Sequence, residues 1–247
     1  METLITLSNY VLYILPGLIL IAVFFITVKP NPNLRIIAYI FTFVLLRDAL
    51  TPLGLWRLGS NGVYLWIRLS EDPLFLILFG VFSLIIVSIL YFFDQENRNH
   101  LVWFHGNKWM GVVVGVVGCM MVILPFLIIY QGIDMSLRGG PVSATLILPI
   151  LIFAMFGNLL EEGLFRGYVL GFLKTRNKPM IAGLNSGLIF AFCHIFLALT
   201  VTSIGLPLLL FTLWEGVIAG LVGTKYGIIP ATLTHGGAIF FLSSGLF

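Results

Sequence analysis

Three charged side chains lie within six residues in the stretch Asn158-Leu159-Leu160-Glu161-Glu162-Gly163-Leu164-Phe165-Arg166. The stretch interrupts an otherwise apolar run over residues 142–173. A charged side chain near the centre of a bilayer costs about 2.5–3.5 kcal/mol on insertion scales. Two adjacent carboxylates also repel each other, so a compensating environment is required. The stretch therefore marks a functional site inside a membrane-embedded helix.

The composition of the chain excludes an ordinary soluble domain. Its 247 residues are 60% hydrophobic and only 9% charged, whereas soluble domains carry about 25% charged residues. We expect a multi-pass integral membrane protein, in the plasma membrane if the source is bacterial. The net charge of +3 is spread over loops, which argues against a nucleic-acid partner. Cys119 and Cys193 lie in apolar runs and indicate no disulfide framework.

Apolar runs long enough to cross a bilayer, about 20 residues at 1.5 Å each, predict the membrane topology. Residues 1–9 carry no basic side chain, which favours a retained first span over a cleaved signal peptide. Residues 54–72 are predicted to form an amphipathic connector at the membrane–water boundary. The fold class is thus all-α, a single membrane domain with about eight spans, at 10–28, 36–53, 73–93, 109–130, 142–173, 181–203, 206–224 and 228–247.

Two of these predicted spans are unusual. The second is interrupted by Arg47 and Asp48. The fifth is too long for one straight crossing, so we expect a tilted or broken helix with the glutamate pair near a break at Gly157 or Gly163.

The distribution of basic residues predicts which loops face the cytoplasm. Loops at 29–35, 94–108, 174–178 and 225 hold eight basic residues, against four on the other side. Both termini would then face outward. The four residues assigned to the outer side are Arg47, Arg57, Arg68 and Arg138.

Helical spacing separates the two glutamates. Glu162 and Arg166 are i and i+4, on one face and in the favourable acid-first order. Glu161 is rotated by about 100° and has no local partner. Glu161 is therefore the candidate general base, with a structural ion-pair cluster as the alternative reading of the whole motif.

Two histidines lie in later spans, His194 in the sixth and His235 in the eighth. Together with Glu161 they could hold and deprotonate a water molecule, either directly or through Zn²⁺. Glu215, in the seventh span, is expected either to fix a histidine ring as a supporting partner or to make an interhelical hydrogen bond.

The order Glu161-Glu162-x-x-x-Arg166, Phe190-x-x-x-His194 and a histidine in the last span resembles the CAAX prenyl protease and bacteriocin-processing (CPBP, Abi) family of intramembrane proteases. A glycine-rich approach to His235, over residues 216–231, is also typical of that family. The resemblance covers residues 142–247, a motif-bearing core, whereas residues 1–141 carry no family signature.

The resemblance implies a helical bundle around a polar intramembrane cavity and an endopeptidase that cleaves a peptide bond near the membrane surface. Glu161 and His194 would activate the water, His235 would polarise the carbonyl, and Glu162 and Arg166 would shape the site. Phe190, Asn158 and Glu215 are supporting residues. The mechanism is either a zinc one, with Glu161, His194 and His235 as ligands, or a metal-free glutamate one. The partners implied are membrane lipids and a peptide or membrane-protein substrate, including a lipidated one.

One position departs from the family pattern. The last motif has Asn or Asp one turn after its histidine, where this chain has Ile239. Isoleucine cannot donate a hydrogen bond to an oxyanion. Another donor must substitute, or the chain is a weak or inactive member acting as a scaffold or immunity protein; a proton-coupled transporter is the third hypothesis. The candidate substitutes are Asn158, Asn185, Thr234 and Ser243.

Overall fold

A computed structural model of the chain describes residues 2–53, 56–60 and 64–247. The described residues form long helices with one small hairpin. The elements are α1 (Glu2–Val28), α2 (Pro32–Leu50), β1 (Trp56–Ser60), β2 (Leu65–Leu69), α3 (Pro73–Phe93), α4 (Lys108–Ile129), α5 (Ile147–Glu162), α6 (Leu170–Lys174), α7 (Pro179–Phe192), α8 (Leu206–Tyr226) and α9 (Ile228–Ser244).

Six helical segments in the described part of the chain are long and apolar enough to cross a membrane. The protein is therefore an all-α, multi-pass integral membrane protein, as its composition predicts. The remaining two predicted spans are also helical, but α2 carries charged residues and α9 has only 17 residues. The six segments are Leu4–Val28, Pro73–Phe93, Lys108–Ile129, Ala144–Lys174, Pro179–Val201 and Leu206–Tyr226.

Helix starts follow the caps that the sequence provides. The side chain of Asn31 accepts a hydrogen bond from the backbone N–H of Leu34 before the helix α2, which begins at a proline. Asp72 caps α3 in the same way, again just before a proline. Both cases match the preference for Asn or Asp at the N-cap and Pro at the first helical position.

The predicted connector contains a β-hairpin that the sequence analysis did not identify. Strands β1 and β2 pair antiparallel, with Trp56 opposite Leu69. Arg68 is buried and donates hydrogen bonds to the carbonyls of Gly140 and Leu242. Gly54, Leu55 and residues 61–63 of the connector lie outside the described residues. The hairpin packs against one end of the bundle, near the end of α9.

Helix α9 is the centre of the bundle, packed against α4, α5 and α8. Glycine permits a close approach between α9 and α5: a Cβ added to Gly236 would lie 2.7 Å from the carbonyl oxygen of Ala154 on α5. Small residues at such crossings let membrane helices pack backbone to backbone. This crossing brings His235, the neighbour of Gly236, beside the glutamate pair at the end of α5.

A second close crossing joins α7 to α8. A Cβ added to Gly187 would lie 2.6 Å from the carbonyl oxygen of Gly216, and one added to Gly216 would lie 2.8 Å from that of Gly187. The crossing fixes the level of Glu215 relative to the end of α7. The sequence analysis treated Gly216 only as part of a glycine-rich region typical of the family. In the structure, Gly216 lies at the α7–α8 interface.

The four loops predicted to be cytoplasmic lie at one end of the bundle. Arg35 forms an ion pair with Asp94 at 3.0 Å, and Lys174 donates a hydrogen bond to the carbonyl of Thr224 at 2.8 Å. One basic residue was misassigned, however. Arg47 is not an outer-loop residue: it lies inside α2 and is buried.

Candidate functional site

The fifth helix changes its winding directly after the glutamate pair. Helix α5 ends at Glu162, the segment Gly163–Val169 is π-helical, and α6 follows without interruption. The helix is therefore not broken at Gly157 or Gly163, but its pitch changes at Gly163. Short π-helical segments inside α-helices occur frequently at functional sites.

The carboxylate of Glu162 joins two basic side chains from different parts of the chain. Its Oε1 atom accepts a hydrogen bond from Arg166 Nη1 at 2.8 Å and lies 2.8 Å from His235 Nδ1. The side chains of Glu162 and Arg166 are completely buried. Arg166 also donates from Nη2 to the carbonyl of Gly216 at 2.9 Å. The predicted i,i+4 pair is present, and it extends to α8 and α9.

Glu215 lies on the other side of the same imidazole. Its Oε2 atom is 3.4 Å from His235 Nε2. Of its two predicted partners, His194 and His235, the structure pairs it with His235. Two protonation states fit an imidazole between two carboxylates. Either the ring of His235 is protonated on both nitrogens, or Glu215 is protonated and donates a hydrogen bond to Nε2 of a neutral ring.

His194 is held in a different way, by an interruption in its own span. Helix α7 ends at Phe192, although the sequence predicts one continuous helix over 181–203. The His194 amide donates to the carbonyl of Ala191, which leaves the Phe190 carbonyl free. That carbonyl accepts a hydrogen bond from His194 Nδ1 at 2.8 Å. No Gly or Pro at 192–194 signals the interruption.

The main partner of His194 is a residue that sequence reasoning missed. Arg47 Nη1 lies 2.9 Å from His194 Nε2, and Arg47 Nη2 donates to the Cys193 carbonyl at 2.8 Å. Arg47 Nε also bonds Asp48 at 2.8 Å. With Nδ1 donating to a carbonyl and Nε2 accepting from a guanidinium, His194 is a neutral imidazole. An arginine inside a predicted span was the signal, by the argument that singled out Glu161.

The ring of Phe190 separates the two histidines. Its centroid lies 4.5 Å from that of His194 and 5.3 Å from that of His235. The guanidinium of Arg166 lies over the same ring at 4.6 Å. Arginine over an aromatic face is stabilised by cation–π attraction. Phe190 thus packs against three of the predicted site residues at once.

Four of the residues described above, Arg47, His194, Glu215 and His235, border one large cavity. The cavity has a volume of about 1200 Å³ and is lined mostly by apolar side chains from α1, α2, α3 and the hairpin. Glu161 Oε2 is buried and has no hydrogen-bond partner among the described residues. The polar lining residues at its inner end are Arg47, Asn158, Glu161, His194, Thr212, Glu215 and His235, with Ile239 beside them.

The predicted substitutes for a donor at position 239 are not equivalent. Asn158 lines the cavity, although its amide nitrogen donates to Ala154 in its own helix at 2.6 Å. Asn185 does not line the cavity. Thr234 donates to carbonyls of Gly115 and Pro230, and Ser243 to that of Ile239. Only Asn158 of the four is thus placed beside the cavity.

The hypothesis of a zinc ion held by Glu161, His194 and His235 does not fit this arrangement. Zinc ligation requires an imidazole nitrogen with a free lone pair. His194 Nε2 instead faces the cation of Arg47, and both nitrogens of His235 face carboxylates. Within the described ranges, no group of three or more His, Cys, Asp or Glu side chains has the arrangement of a metal site.

Comparison with known proteins identifies the C-terminal part of the chain. Residues 143–241 match the model of a family described as Rce1-like, type II CAAX prenyl endopeptidase. Neither the curated proteins nor the solved structures gave a match. The matched residues include the glutamate pair, Arg166, His194, Glu215 and His235, whereas Arg47 lies outside them. Over residues 143–241, the chain is therefore similar to the Rce1-like type II CAAX prenyl endopeptidases.

Proposed function

We propose that this protein is an intramembrane endopeptidase that uses Glu161 as the general base for a water molecule. The observation that carries the proposal is the convergence of Glu161, His194 and His235, from three separate helical segments, on one buried cavity. The family match supports protease activity in general. The residue roles rest on the site geometry and on the motif.

Glu161 and Glu162 have different roles in this mechanism because they point in different directions. Glu161 faces the cavity with an unpaired carboxylate oxygen. It takes a proton from the attacking water and returns it to the leaving amine, with His194 orienting the same water. General acid–base catalysis of this kind contributes about 10²–10⁴ in rate. Glu162 faces Arg166 and His235, and it holds both in place.

His235 is the proposed electrophilic partner of the carbonyl. Its Nδ1 atom is fixed by Glu162, so that the ring orientation is set, and its Nε2 atom faces the cavity side near Glu215. A hydrogen bond from Nε2 to the carbonyl oxygen would grow stronger as negative charge develops there. Glu215 supports the protonated form of the ring.

The proposed substrate is a peptide segment with an apolar or lipidated end, cleaved near the membrane surface. The cavity of about 1200 Å³ exceeds the roughly 300–1,000 Å³ of common small-molecule pockets. Its outer wall consists of α1 and α3 side chains such as Leu12 and Phe82, which are themselves exposed on the outer surface of the bundle. Lipid and lipid-like substrate groups would therefore meet the same apolar wall.

The test uses purified protein in nanodiscs and a panel of prenylated and unmodified membrane peptides. We expect cleavage by the wild-type chain and a loss of about 10²–10⁴ with Glu161→Gln and with His194→Ala. The matched control is Glu71→Gln, because Glu71 is an exposed carboxylate that pairs with Arg57. Full cleavage by both site variants would refute the proposal.

A second candidate function is peptide binding without turnover. Two observations favour it: Ile239 replaces the polar residue of the family motif, and Arg47 occupies the acceptor nitrogen of His194. Saturable binding of a peptide from the same panel, without product even after long incubation and equal for Glu161→Gln, would support this function over proteolysis.

A further inference from the structure

The cavity contains a cation from the N-terminal half of the chain that neither the motif nor the family match includes. Arg47 lies one turn before the end of α2 and is only 9% exposed. Burying a guanidinium is costly unless it is paired and hydrogen-bonded. Arg47 has an ion pair with Asp48 and hydrogen bonds to the Cys193 carbonyl and His194. This set of partners holds it at the inner end of the cavity.

Arg47 is placed where negative charge would develop during hydrolysis. It lines the cavity together with Glu161 and His194. At the same time, the position at which the family motif has a polar donor is occupied here by the apolar Ile239. The amide of Asn158 also lines the cavity, but it is neutral and donates a hydrogen bond within its own helix. A guanidinium has a full charge and several donors in a fixed plane.

We propose that Arg47 is a catalytic residue of this protein: it donates to the scissile carbonyl oxygen and replaces the donor missing at position 239. This inference rests on the proposed proteolytic function. In the resting protein Arg47 Nη1 bonds His194 Nε2. When the carbonyl oxygen binds Nη1 instead, His194 Nε2 is released and becomes an acceptor for the attacking water. Substrate binding thereby places a donor on the carbonyl oxygen and frees His194 Nε2 to accept a hydrogen bond from the water.

The chemical step balances without any further reactant. The water oxygen forms a bond to the carbonyl carbon, and its proton passes to Glu161. The carbonyl π electrons move to the oxygen, which Arg47 and His235 stabilise. The electrons then return, the C–N bond breaks, and the proton on Glu161 passes to the nitrogen of the leaving amine. Arg47 remains protonated throughout, as expected for arginine.

The experiment measures kcat/KM and thermal stability for Arg47→Gln, Ile239→Asn and the double variant R47Q/I239N. Removing one oxyanion donor costs about 10²–10³ in rate, and we expect that loss for R47Q, mainly in kcat. We expect the double variant to regain at least about tenfold, because an amide at position 239 would restore a donor. If Arg47 had a purely structural role, an amide at position 239 would not restore kcat/KM.

Asp48 would lose its partner in R47Q, so the same comparison is made in a second background. D48N removes the carboxylate that R47Q leaves unpaired. If R47Q itself does not fold, cleavage by R47Q/D48N is compared with cleavage by R47Q/D48N/I239N. Wild-type cleavage by R47Q or R47Q/D48N would overturn the inference, as would a loss that I239N leaves unchanged.

Failure of this inference is distinguishable from failure of the proposed function. If Glu161→Gln abolishes cleavage while R47Q does not reduce it, the protein is a protease and only the role of Arg47 is wrong. If Glu161→Gln and His194→Ala both cleave normally, the proteolytic mechanism itself is wrong.

Discussion

His235 lies between the carboxylates of Glu162 and Glu215, whereas His194 lies between a backbone carbonyl and the guanidinium of Arg47. Only the ring of Phe190 separates the two imidazoles. The surroundings of His235 favour a ring that donates hydrogen bonds, and those of His194 fix a ring that accepts one. The neighbours of each histidine thus set its hydrogen-bonding role: His235 as a donor and His194 as an acceptor.

The two sides of the cavity also differ in where their residues come from. The His235 side is built from α5, the π-helical segment, α8 and α9, all within the family-matched residues. The His194 side depends on α2, which lies outside that match. The first side thus lies entirely within the matched residues, whereas the second combines His194 with Arg47 from outside the match. Changes to the two sides should therefore have separable effects.

The largest effect is expected on the His235 side, for Glu162→Leu. This change leaves Arg166 and His235 without their shared carboxylate in a fully buried place. Removing one partner of a buried ion pair costs about 3–5 kcal/mol, so both the unfolding free energy in detergent and cleavage should fall. Glu161→Gln is the control, because Glu161 has no ion pair to lose. Equal stability of the two variants would contradict the separate roles of the glutamates.

A smaller effect, on both sides at once, is expected for Gly187→Leu. The new side chain would meet the backbone of Gly216 across the α7–α8 crossing, and overpacking of this kind costs about 1–3 kcal/mol. Because α7 leads to His194 and α8 carries Glu215, cleavage should fall with stability. Gly163→Ala is the control, since its Cβ would meet no atom within 4 Å; unfolding in detergent should be as in the wild type or slightly later.

A change confined to the His235 side is expected from Glu215→Gln. The contact of Glu215 with His235 is 3.4 Å long, and a hydrogen bond to a charged group contributes about 1.5 kcal/mol at the low end. We expect kcat to fall about tenfold with an unchanged thermal midpoint. A kcat equal to that of the wild type would mean that Glu215 serves only as an interhelical hydrogen bond.

The smallest effect is expected for Ile239→Asn, one turn after His235 on α9, in the otherwise unchanged chain. If Arg47 already replaces the donor missing at position 239, an amide there adds little, and kcat/KM should change by less than about threefold, well under the 10²–10³ that loss of one oxyanion donor costs. A gain of a hundredfold would show instead that nothing in the wild-type site replaces the donor missing at position 239. The measurement is a peptide-cleavage rate at saturating and at low substrate.

Sequence reasoning located most of the polar residues at the inner end of the cavity, because polar and charged side chains in an apolar run are conspicuous at any position. It identified Glu161, Glu162 and Arg166 by helical spacing, and the pairing of Glu215 with His235 was one of its two alternatives. The same argument applied to Arg47 would have identified it too. Arg47 was instead counted with the basic residues of the outer side, because its span is only weakly apolar and the next residue is also charged.

The sequence by itself determined the membrane environment, the positions of the helices and the local Glu162–Arg166 pair, since these follow from hydropathy and from contacts within four residues. Only the tertiary structure decided that α7 ends before His194, that residues flanking 61–63 pair as a hairpin, and that Arg47 meets His194. The two contacting residues are 147 positions apart. No local pattern encodes such a contact, because it depends on how α2 packs against the end of α7.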